Sequence, residues 1–406
     1  MKEYDQIIDK LFQASSSQGF PLSLQTAQTL NCLQGFPSSS YKTVHVAGSN
    51  GKGSVASKIA KVLELSGYRV GLYTSPHLFC FRERIAINST WISEEEVTTG
   101  CKKIFALTEK HLLSPTFFEL TTALALDYFR EQKVDVAVIE TGLGGRLDAT
   151  NVIDPILSII TSISLEHTQV LGEEIEHIAT EKAGIIKRDT PVVIGPKSRC
   201  QSIYDRAEEL HSPLLACKKI SYFFDEENSA VAELALEALS SHFKIHVAAK
   251  QEGLLFRPSC RFERVGDVIF DVAHNPEAIF SLLQALHNFF PERKFRFVVG
   301  FSKDKEYENC LALIADIATH IHLVQSDSPR AAALGALKEA MSGEDPGLAT
   351  PHSSIREGVA TAYLEALARG EILVVCGSFY IMAEAKAQLS NFNETILPST
   401  FSSAVS

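Results

Sequence analysis

The chain of 406 residues has no apolar run that approaches the roughly 20 residues a membrane-spanning helix needs. Its first residues, MKEYDQIIDKLF, are acidic and amphipathic, which is not the pattern of a secretion signal. Positive charge is also scarce: the formal net charge is −11, which argues against non-specific binding to nucleic acid. We therefore expect a protein that acts on small polar molecules, with no membrane or nucleic-acid partner.

Paired cysteines are missing as well. The eight cysteines are scattered singly and form no C-x-x-C motif, the pattern that would suggest a zinc site or a redox-active dithiol. Buried free thiols in a reducing compartment are the expectation that remains. We therefore predict a cytoplasmic protein.

What the chain does have is a glycine-rich motif in the stretch YKTVHVAGSNGKGSVASKIAKVLEL at residues 41–65. Its pattern predicts a buried strand at 43–47, a turn at 48–53 and a helix at 54–65. The glycines let the backbone approach an anion, while the helix N-terminus and Lys52 supply positive charge. This order predicts a cradle for the phosphates of a nucleoside triphosphate.

The motif departs from the strict P-loop pattern because Gly53 separates Lys52 from Ser54. An ordinary glycine-rich turn between a strand and a helix is the alternative. The strand before the turn and the helix after it favour a variant P-loop, in which Lys52 contacts the β and γ phosphates and the Ser54 hydroxyl binds Mg²⁺. Asn50, Gly51 and Gly53 complete the predicted nucleotide-binding turn.

Two other predicted strands end in side chains that could take part in chemistry. VDVAVIET, at residues 134–141, predicts a buried strand that ends near Glu140 beside a glycine-rich loop. Ligands of α/β sheets bind at the carboxyl ends of the strands, so we predict Glu140 as a second metal contact. His167 follows the predicted strand at 156–161 in the same way, although a lone histidine is more often structural.

Length and composition predict two domains. The apolar content of 45% suffices for two cores, and the regular pattern is interrupted around residues 251–262. We place the first domain at residues 1–255, a linker at 256–262 and the second domain at 263–406.

Beyond the linker, apolar runs and helical patterns alternate from residue 267 to residue 377. This alternation predicts a second doubly wound α/β sheet. In the loop DVAHNP, Asn275 and Pro276 fit the start of a helix, whereas Asp271 and His274 are not needed for that purpose.

Six motifs follow one another along the chain: VHVAGSNGKGSV, GLYTSPHL with RERIAIN, IETGLGGRLDATNV, LEHTQVLG, EKAGIIK and FDVAHNP. Together they resemble the folylpolyglutamate synthase/dihydrofolate synthase family, within the Mur ligase superfamily of ATP-dependent amide-forming enzymes. The resemblance implies a P-loop ATPase domain of Mur ligase type, a smaller Rossmann-like C-terminal α/β domain and a monomer. It also implies that L-glutamate is joined to a pteroate or folate carboxylate through an acyl phosphate, with ATP and Mg²⁺.

The same resemblance implies roles for single residues. Ser54 and Glu140 would bind one Mg²⁺ and His167 another, while Lys182 would become a carboxylate-like ligand by carbamylation. An unmodified surface lysine is the alternative for Lys182. The implied catalytic residues are Lys52, His167, Lys182 and Arg261, and the implied nucleotide contacts outside the P-loop are Asn228, Arg261, Asp271 and His274.

Three segments resemble the family's contacts with the pterin substrate. They are the loop of Ser75, Pro76, His77 and Leu78, the turn of Thr116, Phe117, Phe118 and Glu119, and the loop of Leu147, Asp148 and Ala149. From its pattern alone, the longer segment TSPHLFCFRERIAIN at residues 74–88, with the charges of Glu83 and Arg84, fits an ordinary surface loop with a solvated charge pair equally well.

Other functions fit parts of this pattern. A peptidoglycan Mur ligase shares the ATP chemistry, but the chain begins about forty residues before the P-loop, which is too short for a UDP-binding domain. A Mur-type ligase with another acceptor carboxylate stays open. A nucleotide-dependent binding module without ligase activity would not need Glu140, His167 or the second domain. The sequence does not distinguish dihydrofolate synthase, folylpolyglutamate synthase or both.

Overall fold

A computed structural model describes residues 2–14, 23–343 and 347–391. The chain divides into two compact units. The first comprises Met1–Ser221 and Asp225–Arg257, and the second comprises Tyr222–Phe224 and Pro258–Ser406. The sequence did not predict the short excursion of Tyr222–Phe224 into the second unit.

The first unit combines a mixed sheet with helices that follow most of its strands. Its elements are α1 (Glu3–Gln13), α2 (Gln25–Leu33), β1 (Lys42–Ala47), α3 (Lys52–Leu65), β2 (Val70–Tyr73), β3 (Ile85–Ile87), β4 (Thr90–Trp91), α4 (Glu94–Lys110), α5 (Phe117–Glu131), β5 (Val136–Glu140), β6 (Leu157–Ser162), α6 (Thr168–Leu171), α7 (Ile175–Ala183), β7 (Val192–Lys197), α8 (Gln201–Glu209), β8 (Leu214–Ala216), α9 (Phe224–Ala238) and α10 (Val247–Gly253).

The sheet of the first unit has eight strands in the order β4-β3-β2-β5-β1-β6-β7-β8. The six neighbouring strands β2, β5, β1, β6, β7 and β8 are parallel. Strands β3 and β4 form an antiparallel edge next to β2. In β5, Val136 and Val138 pack into one apolar cluster, whereas Ala137 and Ile139 pack into another. Because alternate residues of a strand point to opposite faces, the sheet has a core on each side. This is the usual environment of parallel strands covered by helices.

The second unit contains a smaller sheet. Its elements are β9 (Glu263–Val265), β10 (Val268–Phe270), α11 (Pro276–Phe289), β11 (Phe295–Val299), α12 (Tyr307–Ala315), β12 (Ala318–Leu323), α13 (Leu334–Ala340), β13 (Ala349–Pro351), α14 (Ile355–Arg369), β14 (Ile372–Cys376) and α15 (Met382–Ser390). The strand order is β13-β12-β11-β14-β10-β9, with β9 antiparallel to β10 and the other pairs parallel. As predicted, α11 begins at Pro276, and Asn275 Oδ1 accepts a hydrogen bond from Ala278 N at 2.8 Å.

The predicted α/β class is confirmed, and the differences lie in short or interrupted elements. The sequence did not predict β3, β4, β8, β9 and β13, because strands of two or three residues show no periodicity. The sequence pattern after His167 predicts one helical segment to residue 187, and the structure divides it into α6 and α7. Within the described residues, no helix is long and apolar enough to cross a membrane. All eight cysteines are free thiols.

Candidate functional site

The ends of three neighbouring strands meet at one edge of the first unit's sheet. Strand β1 lies between β5 and β6, and its residue Val46 pairs with Glu140, the last residue of β5. The glycine-rich turn follows β1, and the segment containing Glu166 and His167 follows β6. The parallel register therefore brings the predicted phosphate cradle and the predicted acid to the edge where α/β sheets bind ligands.

Two glycines leave the backbone bare where the turn joins α3. Gly51 precedes the first residue of α3 with a φ of +85°, and a Cβ atom there would lie 2.3 Å from Asn228 Oδ1. A Cβ atom at Gly53 would lie 3.3 Å from Glu140 Oε2. Bare backbone therefore lies against Asn228 on one side and Glu140 on the other, at the N-terminus of a helix. That combination suits close approach by a phosphate.

The last two residues of β6 brace this turn, which the sequence did not predict. Asn50 N donates to Ser162 Oγ at 2.9 Å, and Thr161 Oγ1 donates to Asn50 O at 2.6 Å. Lys52 Nζ donates to Gly48 O at 2.8 Å, so its ammonium is held directly at the turn. The backbone of the turn is thus fixed by neighbouring side chains, and its lysine is positioned beside it.

The residues at this edge fit a magnesium ion. Glu140 is 3% exposed and its Oε2 accepts from Ser75 N at 3.1 Å, and Ser54 is buried at the start of α3. The buried hydroxyl of Thr141, next to Glu140, has no hydrogen-bond partner among the described residues. No group of three or more His, Cys, Asp or Glu side chains in the described residues could hold a metal alone. Mg²⁺ needs no such group, because it binds through one or two protein oxygens together with phosphates and water.

Lys182 is buried, so the alternative of a surface lysine is wrong. It is 1% exposed, and its Nζ lies 2.7 Å from Glu166 Oε1. Burial raises the pKa of Glu166, but the charges of Lys182, Lys52 and His167 outweigh it and hold that pKa well below its usual value. Glu166 is thus an ionised carboxylate within the field of the phosphate cradle. Sequence reasoning missed it, although it precedes His167 in the motif LEHTQVLG.

The loop at residues 75–78 is braced by two charged side chains. The Glu83 carboxylate accepts from the backbone N–H groups of Leu78, Phe79 and Cys80 at 2.9, 2.6 and 2.6 Å. Arg84, 8% exposed, donates through Nε to His77 Nδ1 at 2.8 Å. The interpretation as a solvated charge pair is therefore wrong for Arg84, whereas the loop itself is half-buried. Burial, aided by the charge of Arg84, lowers the pKa of His77 to about 3, so this imidazole is neutral near pH 7.

The predicted pterin turn at residues 116–119 starts α5. Thr116 Oγ1 accepts from Glu119 N at 3.3 Å, and Glu119 Oε2 accepts from Thr116 N at 2.7 Å, which is a capping box. The Phe117 ring stacks on Phe12 with ring centroids 5.0 Å apart. A Cβ atom at Gly142 would lie 2.5 Å from the Phe118 ring. The two phenylalanines are therefore fixed by packing.

The predicted pterin loop of Leu147, Asp148 and Ala149 is held by its acid. Asp148 Oδ2 accepts from the N–H groups of Gly142 and Leu143, both at 2.8 Å. Burial raises the pKa of Asp148, although these hydrogen bonds act against the increase. The carboxylate thus organises the glycine-rich loop that follows Glu140, and any contact with a substrate would come in addition.

In the second unit, Asp271 follows β10. Its two oxygens accept from Phe262 N at 2.7 Å and Ala273 N at 2.8 Å. Burial raises its pKa to about 6, against the opposing charge of Arg261. The Arg261 guanidinium lies over the ring of Phe379 at 5.1 Å, and the His274 ring lies 5.7 Å from the same ring. The structure therefore groups Arg261, Asp271 and His274, with Phe379 as a member that the sequence did not predict.

Two family models match the chain. The Mur ligase middle domain matches residues 46–255, and the Mur ligase glutamate ligase domain matches residues 260–379. The dihydrofolate synthase/folylpolyglutamate synthase of Bacillus subtilis is 33% identical over an alignment of 405 positions, and this alignment covers 87% of this chain and 92% of the relative.

Solved structures of the same family have the same fold. E. coli FolC in complex with DHPP and ADP superposes with a TM-score of 0.86 at 28% identity, covering 95% of this chain and 98% of FolC. The bifunctional folylpolyglutamate synthase/dihydrofolate synthase of Yersinia pestis, complexed with AMPPNP and Mn ion, gives a TM-score of 0.84 at 31% identity, covering 96% and 98%. The predicted family and the predicted ligase class are both confirmed. The chain belongs to the dihydrofolate synthase/folylpolyglutamate synthase family of Mur ligases.

Proposed function

We propose that this chain uses ATP to join L-glutamate to the carboxylate of dihydropteroate, of a reduced folate, or of both. The observation that carries the proposal is the sheet edge at which the glycine-rich turn of β1 lies beside Glu140 of β5. A phosphate cradle next to a buried carboxylate is what phosphoryl transfer from Mg-ATP requires. The named complexes of the relatives with ADP and AMPPNP support this ligand.

In this proposal the triphosphate lies on Asn50, Gly51, Lys52, Gly53 and Ser54. The N–H groups at the start of α3 bind its oxygens, and Lys52 Nζ turns from the carbonyl of Gly48, 2.8 Å away, toward the phosphates. Asn228, which lies against Gly51, contacts the adenine. Arg261, Asp271 and His274 are further proposed nucleotide contacts, as the family resemblance implies.

Ser54 and Glu140 would hold one Mg²⁺, and His167 with a carbamylated Lys182 would hold a second. The metal supplies charge neutralisation for the transferring phosphoryl group. In the structure Lys182 forms an ion pair with Glu166, whose Oε1 lies 2.7 Å from Lys182 Nζ. Carbamylation would therefore replace this contact.

The chemistry needs no side-chain nucleophile. The carboxylate of the acceptor attacks the γ-phosphorus of ATP, ADP leaves, and an acyl phosphate results. The amine of glutamate then attacks the acyl carbon, phosphate leaves, and the amine loses a proton. Lys52 and Arg261 stabilise the negative charge on the transferring group, which is where phosphoryl-transfer enzymes place cations.

The acceptor would bind at three segments of the first unit: Ser75, Pro76, His77 and Leu78; Thr116, Phe117, Phe118 and Glu119; and Leu147, Asp148 and Ala149. Their bracing supports this assignment, because rotamers fixed by packing and hydrogen bonds make a preorganised site. His77, neutral near pH 7 because burial lowers its pKa to about 3, offers a hydrogen bond without a charge.

We also propose the domain limits predicted from sequence: an ATP-binding domain at residues 1–255, a linker at 256–262 and a glutamate ligase domain at 263–406. The matches of the two family models, at 46–255 and 260–379, support these limits. A monomer in the cytoplasm is the expected state of the protein. Eight free thiols fit a reducing compartment.

The test is a product assay with Mg-ATP and L-glutamate, offering dihydropteroate in one reaction and tetrahydrofolate in the other. ADP and a glutamylated pterin should appear in at least one, and the pair of results identifies which reaction the chain catalyses. Lys52→Ala should lower the rate by at least about 1,000-fold while circular dichroism stays unchanged, because it removes a cation from the phosphates. Near-normal turnover in that variant would contradict the P-loop assignment. Nucleotide binding without either product would favour a different acceptor carboxylate.

A further inference from the structure

His45 is a fully buried histidine in β1, the strand that leads to the glycine-rich turn. Its neighbours Val44 and Val46 pack into an apolar cluster on one face of the sheet, so His45 points to the other face. There its Nε2 atom lies 2.8 Å from Thr150 Oγ1, and Thr150 is also fully buried. The nucleotide and metal contacts proposed above involve neither side chain.

Thr150 in turn binds Asp148, the acid of the predicted pterin loop. Thr150 Oγ1 donates to Asp148 Oδ1 at 2.5 Å, and Thr150 N donates to the same oxygen at 3.0 Å. The other oxygen, Oδ2, accepts from Gly142 N and Leu143 N, both at 2.8 Å. Four donors suit an ionised carboxylate, which has about four acceptor sites. His45, Thr150 and Asp148 thus form a hydrogen-bonded network, the His45 network, that connects β1 to the loop at residues 142–149.

The donors and acceptors of the His45 network follow from the number of hydrogens. A hydroxyl has one hydrogen, and Thr150 gives it to Asp148, so the bond between Thr150 and His45 is donated by Nε2–H. The Nδ1 atom of His45 is then an acceptor, and it has no hydrogen-bond partner among the described residues. Burial, with the charge of Lys187 as a smaller cause, lowers the pKa of His45 to about 3, so the ring is neutral near pH 7.

Packing alone does not call for a histidine at this position. A buried nitrogen acceptor without a partner is unfavourable, because it has lost its hydrogen bonds to water. An apolar side chain would avoid this loss, as Val44, Val46 and Ala47 do in the same strand. The bond to Thr150 gives the imidazole a use, because the Nε2–H donor leaves the hydroxyl only one direction in which to donate, toward Asp148.

We infer that His45 and Thr150 are positioning residues for the acceptor substrate. This inference rests on the proposed function, in which the loop of Leu147, Asp148 and Ala149 contacts the acceptor. The network fixes the orientation of the Asp148 carboxylate, and the carboxylate holds the backbone of the loop. Neither His45 nor Thr150 touches the substrate, since both are fully buried. Loss of the network should therefore weaken acceptor binding and leave ATP binding unchanged.

The main test compares Thr150→Val with Thr150→Ser and with Thr43→Val. Valine keeps the shape of threonine without its hydroxyl, whereas serine keeps the hydroxyl. Thr43 is the matched control, because it lies in β1, is 1% exposed and donates through Oγ1 to Asp154 O at 3.2 Å, away from Asp148. The measurements are kcat and the KM of each substrate, with dihydropteroate or tetrahydrofolate as the acceptor.

In Thr150→Val, the KM for the acceptor should rise by about tenfold, while the KM for ATP stays within about twofold of the wild type. Thr150→Ser and Thr43→Val should keep both KM values near those of the wild type. A merely structural role would not give this separation, because a smaller folded fraction lowers the apparent kcat and leaves each KM unchanged. An unchanged acceptor KM in Thr150→Val, or an equal increase in Thr43→Val, would overturn the inference.

His45→Leu and His45→Gln test the other end of the network. Leucine removes the Nε2–H donor together with the unpaired Nδ1 atom, whereas the glutamine amide supplies an N–H donor again. The acceptor KM should rise by about threefold or more in His45→Leu and by less in His45→Gln. A folded His45→Leu variant with a wild-type acceptor KM would contradict the inference. If His45→Leu does not fold, the Thr150 variants decide the question.

A measurement without turnover separates this inference from the proposed function. Hydrogen exchange over residues 141–150, followed by mass spectrometry, reports on the backbone N–H groups that Asp148 holds. This exchange should be at least about threefold faster in Thr150→Val than in the wild type, and unchanged in Thr43→Val. Unchanged exchange in Thr150→Val would overturn the inference whether or not product forms. A wild type that forms no glutamylated product, with faster exchange in Thr150→Val, refutes the substrate assignment and leaves the hold on the loop supported.

Discussion

Each unit contains a buried ion pair, and the two pairs differ in their position on the sheet. In the first unit, Lys182 Nζ lies 2.7 Å from Glu166 Oε1, and Glu166 follows the carboxyl end of β6. In the second unit, Arg296 Nε lies 2.8 Å from Glu371 Oε2, with Arg296 near the start of β11 and Glu371 just before β14. The first pair is therefore at the ligand-binding edge of its sheet, and the second is at the amino-terminal ends of its strands.

The comparison teaches that burial and charge alone do not identify a site. Both pairs are almost fully buried and their contact lengths are nearly equal. Arg296 is also satisfied from other sides, because its NH1 group donates to Glu365 Oε2 at 2.6 Å and lies 3.2 Å from His322 Nε2. We expect the pair at the carboxyl ends to serve the reaction and the pair at the amino ends to serve stability.

Replacement of Lys182 should have the largest effect on activity. In Lys182→Met, kcat should fall by at least about 100-fold, equivalent to about 2.7 kcal/mol, because a proposed metal ligand is lost. The variant should also be less stable, since Glu166, 7% exposed, is left without its cation. Steady-state kinetics and urea denaturation measure the two effects.

A double variant separates the two effects of Lys182. Lys182→Met with Glu166→Gln should recover much of the stability, because the uncompensated charge is gone, and none of the activity. Lys187→Met is the matched control: Lys187 is partly buried, donates to Asn151 O at 3.2 Å and should keep a near-normal kcat. If Lys182→Met retained most of the wild-type kcat, the functional interpretation of this pair would be wrong.

Replacement of Arg296 should lower the stability of the protein and leave its activity nearly unchanged. Arg296→Met should lower the free energy of unfolding by about 3–5 kcal/mol, because it leaves Glu371 buried and unpaired. In the folded fraction, kcat should stay within about twofold of the wild type, since this pair lies away from the carboxyl ends of the strands.

Arg356→Met controls for the loss of an arginine in the same unit. Arg356 pairs with Glu384 at 3.4 Å and its side chain is 73% exposed, so its loss should change stability by less than about 1 kcal/mol. Urea denaturation and kinetics at 25 °C measure both variants. A large loss of kcat in fully folded Arg296→Met would end the distinction between the two pairs.

The sequence predicted the parts of the site that depend on local pattern. Gly51 and Gly53 could be assigned to a turn from the sequence because glycine spacing specifies a turn. Glu140 could be placed at the end of a strand because a long apolar run ends there. The Lys182–Glu166 and Arg296–Glu371 contacts could not be predicted, because they join different segments, 16 and 75 residues apart in the chain, and depend on tertiary packing. The short edge strands were missed for lack of periodicity.

Asp271 differs from the two ion-paired acids above. It is a buried acid just after the carboxyl end of β10, and it has no close ion pair among the described residues. Burial raises its pKa from 3.8 to about 6. Between these pH values the folded protein holds a proton that the unfolded chain has released, so the stability contributed by this group falls as the pH rises. The amide introduced by Asp271→Asn cannot titrate. The free energy of unfolding of Asp271→Asn minus that of the wild type should therefore rise by about 2 kcal/mol from pH 4 to pH 7.

Asp267→Asn is the control in the same unit, and its trend should be the opposite. Hydrogen bonding to Arg293, together with the charges of Arg293 and Arg264, lowers the pKa of Asp267. The wild type therefore gains stability from this carboxylate as the pH rises through the acid range. The free energy of unfolding of Asp267→Asn minus that of the wild type should fall over the same range. Urea denaturation at each pH gives both differences. A difference for Asp271→Asn that does not vary with pH would mean that the acid is ionised in the folded protein from pH 4 upward. The unfavourable burial that marks Asp271 as a binding residue would then be absent.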